Sequence, residues 1–426
     1  MALPFFASQA TNFLAQLSVV AILGRMGQDA VYVRSLYQPI SYLLLALTVA
    51  FAVTHQAAAA TSRGRRRPDE VMAHAAALAR IWLTCVTVIC VALAAAAPWL
   101  ADVLDVAPGI RPVFVSFLRW TSIVGVLGIG PELCAASLRG HNHARLATVL
   151  TLCTATLQVG CVAGLGLGTG IGVSAVPLGQ GAAAIGGLAV GCGMLRRTEL
   201  WHPRAAAPRA LDDAFSGLRR IGLPVAASLL VISGYNFAVL AVLTRYGADT
   251  VAGFSVAMTL QNFVLLPGTV IGTATAIVIN QQRGAGEGSR AYDSLRGGLE
   301  VSAMVYVVIA VGLWSVAHPV AHLLSSEASV SAVAGSYLST VGLTYVFQGP
   351  VLAALTALEE TGAGVRAILL NVIYFGVIVL ASSTLADSLG GAVGFFDIVA
   401  YCNFMGIAVP VYALWHMRRT TPRKSG

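Results

Sequence analysis

The chain alternates between long apolar segments and short polar ones. Twelve of the apolar segments are long enough for a helix to cross a bilayer, which takes about 20 residues. They lie at 3–23, 36–59, 81–103, 113–136, 146–167, 172–194, 221–243, 254–279, 299–322, 333–357, 366–386 and 391–415. Regular alternation of polar and apolar residues is too sparse for a β-barrel. The pattern therefore predicts an all-α integral membrane protein with twelve transmembrane helices.

Composition supports this prediction and excludes a water-soluble domain. Hydrophobic residues make up 57% of the chain, charged residues only 10%, and the mean hydropathy is +0.79. Soluble domains carry about 25% charged residues. The seven cysteines all fall in apolar segments without metal-binding spacing, so we expect them to be packing residues and predict no metal site.

Basic residues are concentrated in alternate polar segments. Arginines follow the second, fourth, sixth, eighth and twelfth helices, as in the run 63–67, whereas the other loops hold few, among them Arg25, Arg34 and Arg111. Because basic loops remain cytoplasmic, both termini are predicted to lie in the cytoplasm, with the protein in the cell inner membrane. The net charge of +8 is thereby explained by the lipid bilayer as partner, and no nucleic acid is expected.

A short motif occurs twice and divides the chain. Residues 25–31 and 245–251 both read R-x-G-x-D-x-V, an offset of 220 residues (245 − 25), and Pro4 and Pro224 share this offset. Six helices in each half is an even number, so the two halves would be parallel repeats. We assign residues 1–195 to an N-lobe, 196–220 to a cytoplasmic linker, 221–417 to a C-lobe and 418–426 to a basic cytoplasmic tail.

Several further short motifs occur in a characteristic order. They are Leu138-Arg139-Gly140, Gly222-Leu223-Pro224, Tyr246-Gly247, Pro267-Gly268 and the run 280–286, NQQRGAG. Together with twelve helices in two parallel halves, they make the chain resemble the multidrug and toxic compound extrusion (MATE) transporters, of the MOP flippase superfamily. The resemblance implies two pseudo-symmetric six-helix lobes around a central cleft and alternating access. It further implies secondary-active export of a small organic compound, a drug or natural product, coupled to influx of Na⁺ or H⁺. We expect no other cofactor, and a monomer.

The chain departs from the family at the carboxylates that bind the coupling ion. The positions at which many members carry these acids are occupied by Val19, Ile232 and Val351. Two other acids lie within predicted helices, Glu132 and Asp397. Intramembrane carboxylates are costly and usually functional, so we take both as ion-coupling candidates. The alternative for Glu132 is an interfacial pair with a nearby arginine.

Polar uncharged residues form stripes on several predicted helices. Gln9, Asn12 and Gln16 are spaced three and four apart and so share one helix face. The full set of substrate-cleft candidates is Gln9, Asn12, Gln16, Gln38, Tyr42, Tyr235, Asn236, Gln261, Asn262, Tyr345 and Gln348. Such stripes would suit a cleft that binds a polar organic solute; the alternative is hydrogen bonding between helices of one lobe.

Glycines recur every four residues in two segments. They are Gly160, Gly164 and Gly168 in the fifth, and Gly187 and Gly191 in the sixth. Such spacing permits close helix packing, with helix sliding as the alternative role.

Three other functions were weighed. A lipid-linked saccharide flippase of the same superfamily would have a strongly basic cleft, whereas here only Arg119 approaches the membrane interior. The missing carboxylates leave an uncoupled facilitator open. No P-loop or H-E-x-x-H motif is present, and no convergent ionisable residues indicate an intramembrane enzyme, so we predict no enzymatic activity.

Overall fold

The computed structural model describes residues 2–202, 208–324 and 327–420, and every regular element in these ranges is helical. The first half contains α1 (Ala2–Met26), α2 (Gln28–Gly64), α3 (Asp69–Val103), α4 (Arg111–Gly125), α5 (Ile129–Gly140), α6 (Ala144–Gly168), α7 (Ala175–Leu195) and α8 (Pro208–Gly217). The second contains α9 (Leu223–Leu243), α10 (Ala248–Gly284), α11 (Ala291–Ser315), α12 (Ala317–Leu324), α13 (Ala328–Gly342), α14 (Tyr345–Leu358), α15 (Gly364–Leu385), α16 (Ala392–Met405) and α17 (Ala408–Thr420).

Within the described residues, eleven helical runs are long and apolar enough to cross a membrane. The run Tyr345–Leu385 is interrupted at Gly362, where φ is 88° and the backbone is not helical. It therefore comprises two helices, α14 and α15, and counting them separately brings the number to the predicted twelve. The all-α membrane fold predicted from the apolar segments is confirmed.

The chain divides into two compact units, Leu3–Leu223 and Pro224 onward. The predicted linker 196–220 is partly helical, because α8 has an apolar face. Ala214 and Leu218 are buried on the first unit, in one apolar cluster with Leu78 and Trp82 of α3. Residues 203–207 of the linker lie outside the described residues.

The offset of 220 residues extends to individual hydrogen bonds. Arg63 Nη1 donates to the carbonyl oxygen of His141 at 2.5 Å in the first unit. Arg283 Nη1 donates to the carbonyl oxygen of Thr361 at 2.6 Å in the second. Both donors and both acceptors are 220 residues apart (283 − 63 and 361 − 141). The two halves thus close the same helix ends with the same side-chain contact.

Three predicted boundaries were wrong. The loop before α2 is the single residue Gly27, whose φ of 124° allows the tight turn, so Arg34 lies within a helix and not in a loop. The fourth predicted segment is divided into α4 and α5 by the 3₁₀ turn Val126–Gly128. The predicted tail begins inside α17, which continues to Thr420, and residues 421–426 lie outside the described residues.

The glycines of α6 and α7 have different surroundings. A methyl group added at Gly160, Gly164 or Gly168 of α6 would meet nothing within 4 Å. At Gly187 of α7 it would lie 2.2 Å from Cγ2 of Thr154, and at Gly191 2.7 Å from Cβ of Cys134. Tight packing, one of the two roles considered, is therefore seen for the α7 glycines only.

We expect Gly191→Ala to destabilise the first unit by about 1–3 kcal/mol, because overpacking forces neighbouring helices apart. Gly164→Ala is the matched control and should be neutral or stabilising by up to about 1 kcal/mol, since alanine favours the helix. Thermal unfolding of the purified protein in detergent measures both. Equal effects of the two substitutions would contradict the packing difference.

Candidate functional site

Two carboxylates are buried at the carboxyl-terminal end of α14. Glu359 and Glu360 are 9% and 5% exposed. The sequence analysis placed this stretch between two helices, but the helical backbone continues through both residues to the turn at Gly362. The acids are therefore enclosed by helices of the second unit.

Glu360 is held by α10. Its Oε1 accepts a hydrogen bond of 2.6 Å from the hydroxyl of Thr273. Its backbone oxygen accepts one of 3.0 Å from Nδ2 of Asn280. These contacts fix the last turn of α14 against α10.

Glu359 is surrounded by neutral polar groups from two other helices. Its Oε1 accepts a hydrogen bond of 3.3 Å from Nδ2 of Asn371 on α15. The hydroxyl of Ser228 on α9 also hydrogen-bonds the carboxylate, and the same Asn371 amide lies 3.1 Å from Ser228 Oγ. Within the described part of the chain, Glu359 makes no ion pair.

The position of these acids is electrostatically unfavourable for a permanent charge. The carboxyl-terminal end of a helix carries partial negative charge, and burial penalises an unpaired ion. The first unit has Arg139, a residue that this helix end favours, at the position corresponding to Glu359 (359 − 139 = 220). A proton or a small cation would offset the cost of two carboxylates, so this is the best candidate for a coupling site.

The internal repeat contained the signal that could have identified this pair. Leu138 and Leu358 were already aligned as helix ends at the offset of 220. The residues that follow, Arg139 and Glu359, therefore occupy the same final turn. Reading that stretch as a loop set the two acids aside.

The predicted coupling residues lie in different units. Glu132 is in the first turn of α5 and Asp397 is in α16, and both side chains are half-buried. Neither appears in a hydrogen bond or an ion pair with another described residue. Their role in coupling stays a prediction.

The predicted cleft residues differ widely in exposure. Asn12, Gln16, Tyr42 and Asn262 are exposed, Gln9, Gln38, Tyr235 and Asn236 are half-buried, and Gln261, Tyr345 and Gln348 are buried. Gln261 accepts a hydrogen bond of 2.7 Å from the hydroxyl of Tyr337, which is the intralobe alternative. The Tyr345 hydroxyl and Gln348 Oε1 are buried without a hydrogen-bond partner, and the three α1 amides have none among the described residues.

Arg34 adds a charge to one of these stripes. Its spacing of four and eight residues from Gln38 and Tyr42 places all three on one face of α2. Its Nε and Nη1 atoms are buried without an acceptor, and its guanidinium carbon lies 5.6 Å from the ring centre of Tyr37. The expectation that only Arg119 approaches the membrane interior was wrong, because α2 begins earlier than predicted.

The loop after α5 contains a histidine whose protonation should affect stability. His141 is 3% exposed, and its Nε2 lies 3.2 Å from Ser62 Oγ. Burial, together with the nearby charge of Arg63, lowers the pKa of His141 from 6.5 to about 4. The unfolded chain therefore binds more protons in acid than the folded protein does.

We expect the stability of the first unit to fall as the pH decreases from 6.5 towards 4, the pKa range of His141. The contribution of His141 lost at about pH 5 is on the order of 2 kcal/mol. Thermal unfolding of the wild type and His141→Gln at neutral and acidic pH measures it. An identical pH dependence in both proteins would show that His141 does not contribute.

Comparison with known proteins places the chain among transporters. The MatE family profile matches residues 4–162 and 224–385, three quarters of the chain in two blocks. "Probable multidrug resistance protein YpnP" of Bacillus subtilis is 25% identical over 37% of this chain and 36% of its own length. "Probable multidrug resistance protein NorM" of Aromatoleum aromaticum is 28% identical over 42% and 38%. The chain thus aligns with little more than a third of the length of these curated relatives.

Solved structures match over nearly the whole chain. A crystal structure of the Vibrio cholerae MATE transporter VcmN matches with a TM-score of 0.90, 17% identity and coverage of 98% of this chain and 95% of that one. A MOP superfamily transporter from Pyrococcus furiosus, described as having a binding pocket of reversed polarity, matches with a TM-score of 0.87, 16% identity and coverage of 99% and 96%. At these identities the likeness shows the fold. The family profile, the helical fold and the repeat agree: this multi-pass membrane protein belongs to the MatE family of transporters.

Proposed function

We propose that the protein is a secondary-active exporter of small organic compounds, driven by proton influx through Glu359. The observation that carries the proposal is a buried carboxylate that has only neutral hydrogen-bond partners, Ser228 and Asn371, and no ion pair among the described residues. A coupling group must bind and release its ion as the protein changes state. Because Glu359 contacts two other helices, small helix movements would change its proton affinity.

The partners of Glu359 favour a proton over a sodium ion. Asn371 directs its amide nitrogen to the carboxylate and to Ser228. A hard cation such as Na⁺ needs several oxygen ligands, and this nitrogen occupies the place of one. A proton needs only the carboxylate oxygen.

The substrate side of the proposal rests on unused hydrogen-bonding capacity. The amides of Gln9, Asn12 and Gln16 have no partner among the described residues, and the Tyr345 hydroxyl and Gln348 Oε1 are unpartnered. Buried polar atoms without partners are costly. A polar organic compound that hydrogen-bonds to these groups would remove that cost.

A lipid-linked saccharide flippase is the second candidate, and Arg34 favours it. Two of its guanidinium nitrogens are buried without an acceptor, and arginine binds phosphate groups well. A pyrophosphate-linked lipid would supply the missing acceptors. The apolar surroundings of the other cleft candidates make export of an organic compound the leading function.

Reconstituted vesicles distinguish these functions. A fluorescent organic compound is supplied, and a proton gradient and a sodium gradient are imposed separately; a fluorescent pyrophosphate-linked lipid is tested in parallel. We expect accumulation driven by the proton gradient alone. Transport that ignores both gradients would establish a facilitator, and lipid translocation without drug transport would establish a flippase.

Glu132→Gln and Asp397→Asn serve as matched carboxylate variants in the same assay. Each removes one half-buried acid and leaves Glu359 intact. If either variant abolishes gradient-driven export, that acid is the coupling group and the assignment to Glu359 is wrong.

A further inference from the structure

Two histidines of the first unit are in direct contact inside the protein. His55 of α2 is 0% exposed, and its Nδ1 lies 3.1 Å from Nδ1 of His74 on α3. The two rings are nearly parallel, with an angle of 14° between their planes. His55 Nε2 lies 2.7 Å from the hydroxyl oxygen of Ser137 on α5. His55 thus uses both ring nitrogens, each towards a different helix.

The contact between the two Nδ1 atoms requires a proton between them. A neutral imidazole has one N–H donor and one acceptor nitrogen. Either His55 donates to His74 and accepts from Ser137, or His74 donates to His55, which then donates to Ser137. In the second case the Ser137 hydroxyl donates to the carbonyl oxygen of Leu133, at 2.8 Å. Both arrangements satisfy all the groups, so the shared proton can occupy either position.

The pair can accept one further proton but not two. One added proton makes an imidazolium that donates to the remaining neutral ring, and hydrogen bonds of this charged type are stronger than neutral ones. A second added proton would make both Nδ1 atoms donors and break the contact. The geometry therefore defines a site for a single proton.

Charged groups around the pair act in opposite directions on that proton. Arg139 on α5 and His141 in the following loop interact electrostatically with His55 and oppose an added positive charge. Asp213 on α8 interacts electrostatically with His74 and favours it. The aspartate is exposed, which gives the pair a charged neighbour at the protein surface. Arg63 of α2 is nearest to His141, to whose backbone it donates.

The element that carries Asp213 connects the two units. α8 continues through Leu218–Gly222 directly into α9, the first helix of the second unit. Movement of α9 would shift α8 along the chain and change the distance between Asp213 and His74. Proton affinity at the pair would then depend on the state of the transporter, as coupling requires.

The repeat shows that the fold itself does not need these histidines. The residues 220 positions after His55, His74 and Ser137 are Thr275, Ser294 and Ala357. Thr275 bonds only to the backbone of its own helix, at 2.8 Å to Ile271. The second unit folds in the same way without the pair, which points to a role beyond packing.

We propose that His55 and His74 form a second proton-binding site of the transporter, holding one proton between α2 and α3 of the first unit. This inference rests on the proposed proton-coupled export. The pair would bind the proton from the side of Asp213 and pass it between the two rings. The repeat supplies the test substitutions, His55→Thr and His74→Ser, which install residues that the corresponding positions of the second unit already tolerate.

The first measurement does not depend on transport. The full-length protein is labelled with ¹⁵N-histidine in lipid nanodiscs, and imidazole nitrogen resonances are followed from about pH 5 to 9. We expect the signals of His55 and His74 to move together in one single-proton step, and this joint step to disappear in His74→Ser. His202→Gln, at an exposed position, is the control that should leave it unchanged. Separate titration of the two rings, or no change in either, would overturn the proposal.

The second measurement is the pH profile of proton-driven export in vesicles. We expect His55→Thr and His74→Ser each to shift the profile or to reduce its pH dependence by about tenfold, the size of a typical coupling between sites. If the wild type shows no proton-driven export, the proposed function fails while the resonance result still reports on the pair. If wild-type export is proton-driven and both variants retain its pH profile, the pair is not part of coupling and this inference fails alone.

Discussion

Replacing Glu359 with glutamine is expected to abolish gradient-driven export and to leave exchange of substrate across the membrane intact. Glutamine retains an oxygen that can accept from Asn371, which now donates at 3.3 Å, but it cannot carry a proton. Coupling between two binding sites is typically worth a factor of about 5 to 150. We therefore expect proton-driven accumulation to fall by roughly 10- to 100-fold.

The measurement is uptake of a fluorescent compound into vesicles under an imposed proton gradient, compared with counterflow without a gradient. Counterflow needs alternating access but no driving ion, so it should remain close to the wild-type value in Glu359→Gln. Thermal unfolding of the variant should also be near wild type, because the amide is isosteric. Full gradient-driven export in Glu359→Gln would exclude Glu359 as the coupling group.

Asp at this position provides a second comparison. Glu359→Asp keeps the ionisable group but shortens the side chain and withdraws it from Asn371 on α15 and Ser228 on α9. If the proton affinity depends on these two neighbours, partial export with a shifted pH profile should result. A complete loss equal to that of glutamine would mean that the position of the carboxylate matters as much as its charge.

Removal of Arg63 or Arg283 is expected to destabilise its own unit by about 1.5–3 kcal/mol, the usual range for a hydrogen bond that involves a charged group. Each side chain closes a helix end by donating to a backbone oxygen, of His141 in one unit and of Thr361 in the other. Without it, that partly buried carbonyl group loses a donor. Thermal unfolding of Arg63→Ala and Arg283→Ala in detergent measures the loss.

Two surface arginines serve as controls for these variants. Arg65 and Arg290 make ion pairs with Glu70 and Glu287 but are 57% and 68% exposed, and exposed pairs contribute little. Their alanine variants should change stability by less than about 0.5 kcal/mol. Because Arg63 and Arg283 belong to separate units, the double variant should show the sum of the two single losses. Losses no greater than those of the controls would contradict the role assigned to the two contacts.

Much of the fold was determined by sequence alone, for a physical reason. Every backbone group of a chain within lipid must be satisfied by its own helix, so each long apolar segment specifies a helix without reference to the rest of the protein. The motif at 25–31 and its copy at 245–251 likewise established the repeat, which the contacts of Arg63 and Arg283 reproduce.

The candidate sites were decided by tertiary structure. Glu359 and Asn371 are only 12 residues apart, but Ser228 is contributed by a helix far earlier in the chain. His55 meets His74 and Ser137 at separations of 19 and 82 residues. Apolar periodicity records which segments enter the membrane. It does not record which helix faces meet, and the energies of a buried proton or charge depend on the groups gathered there from distant parts of the chain.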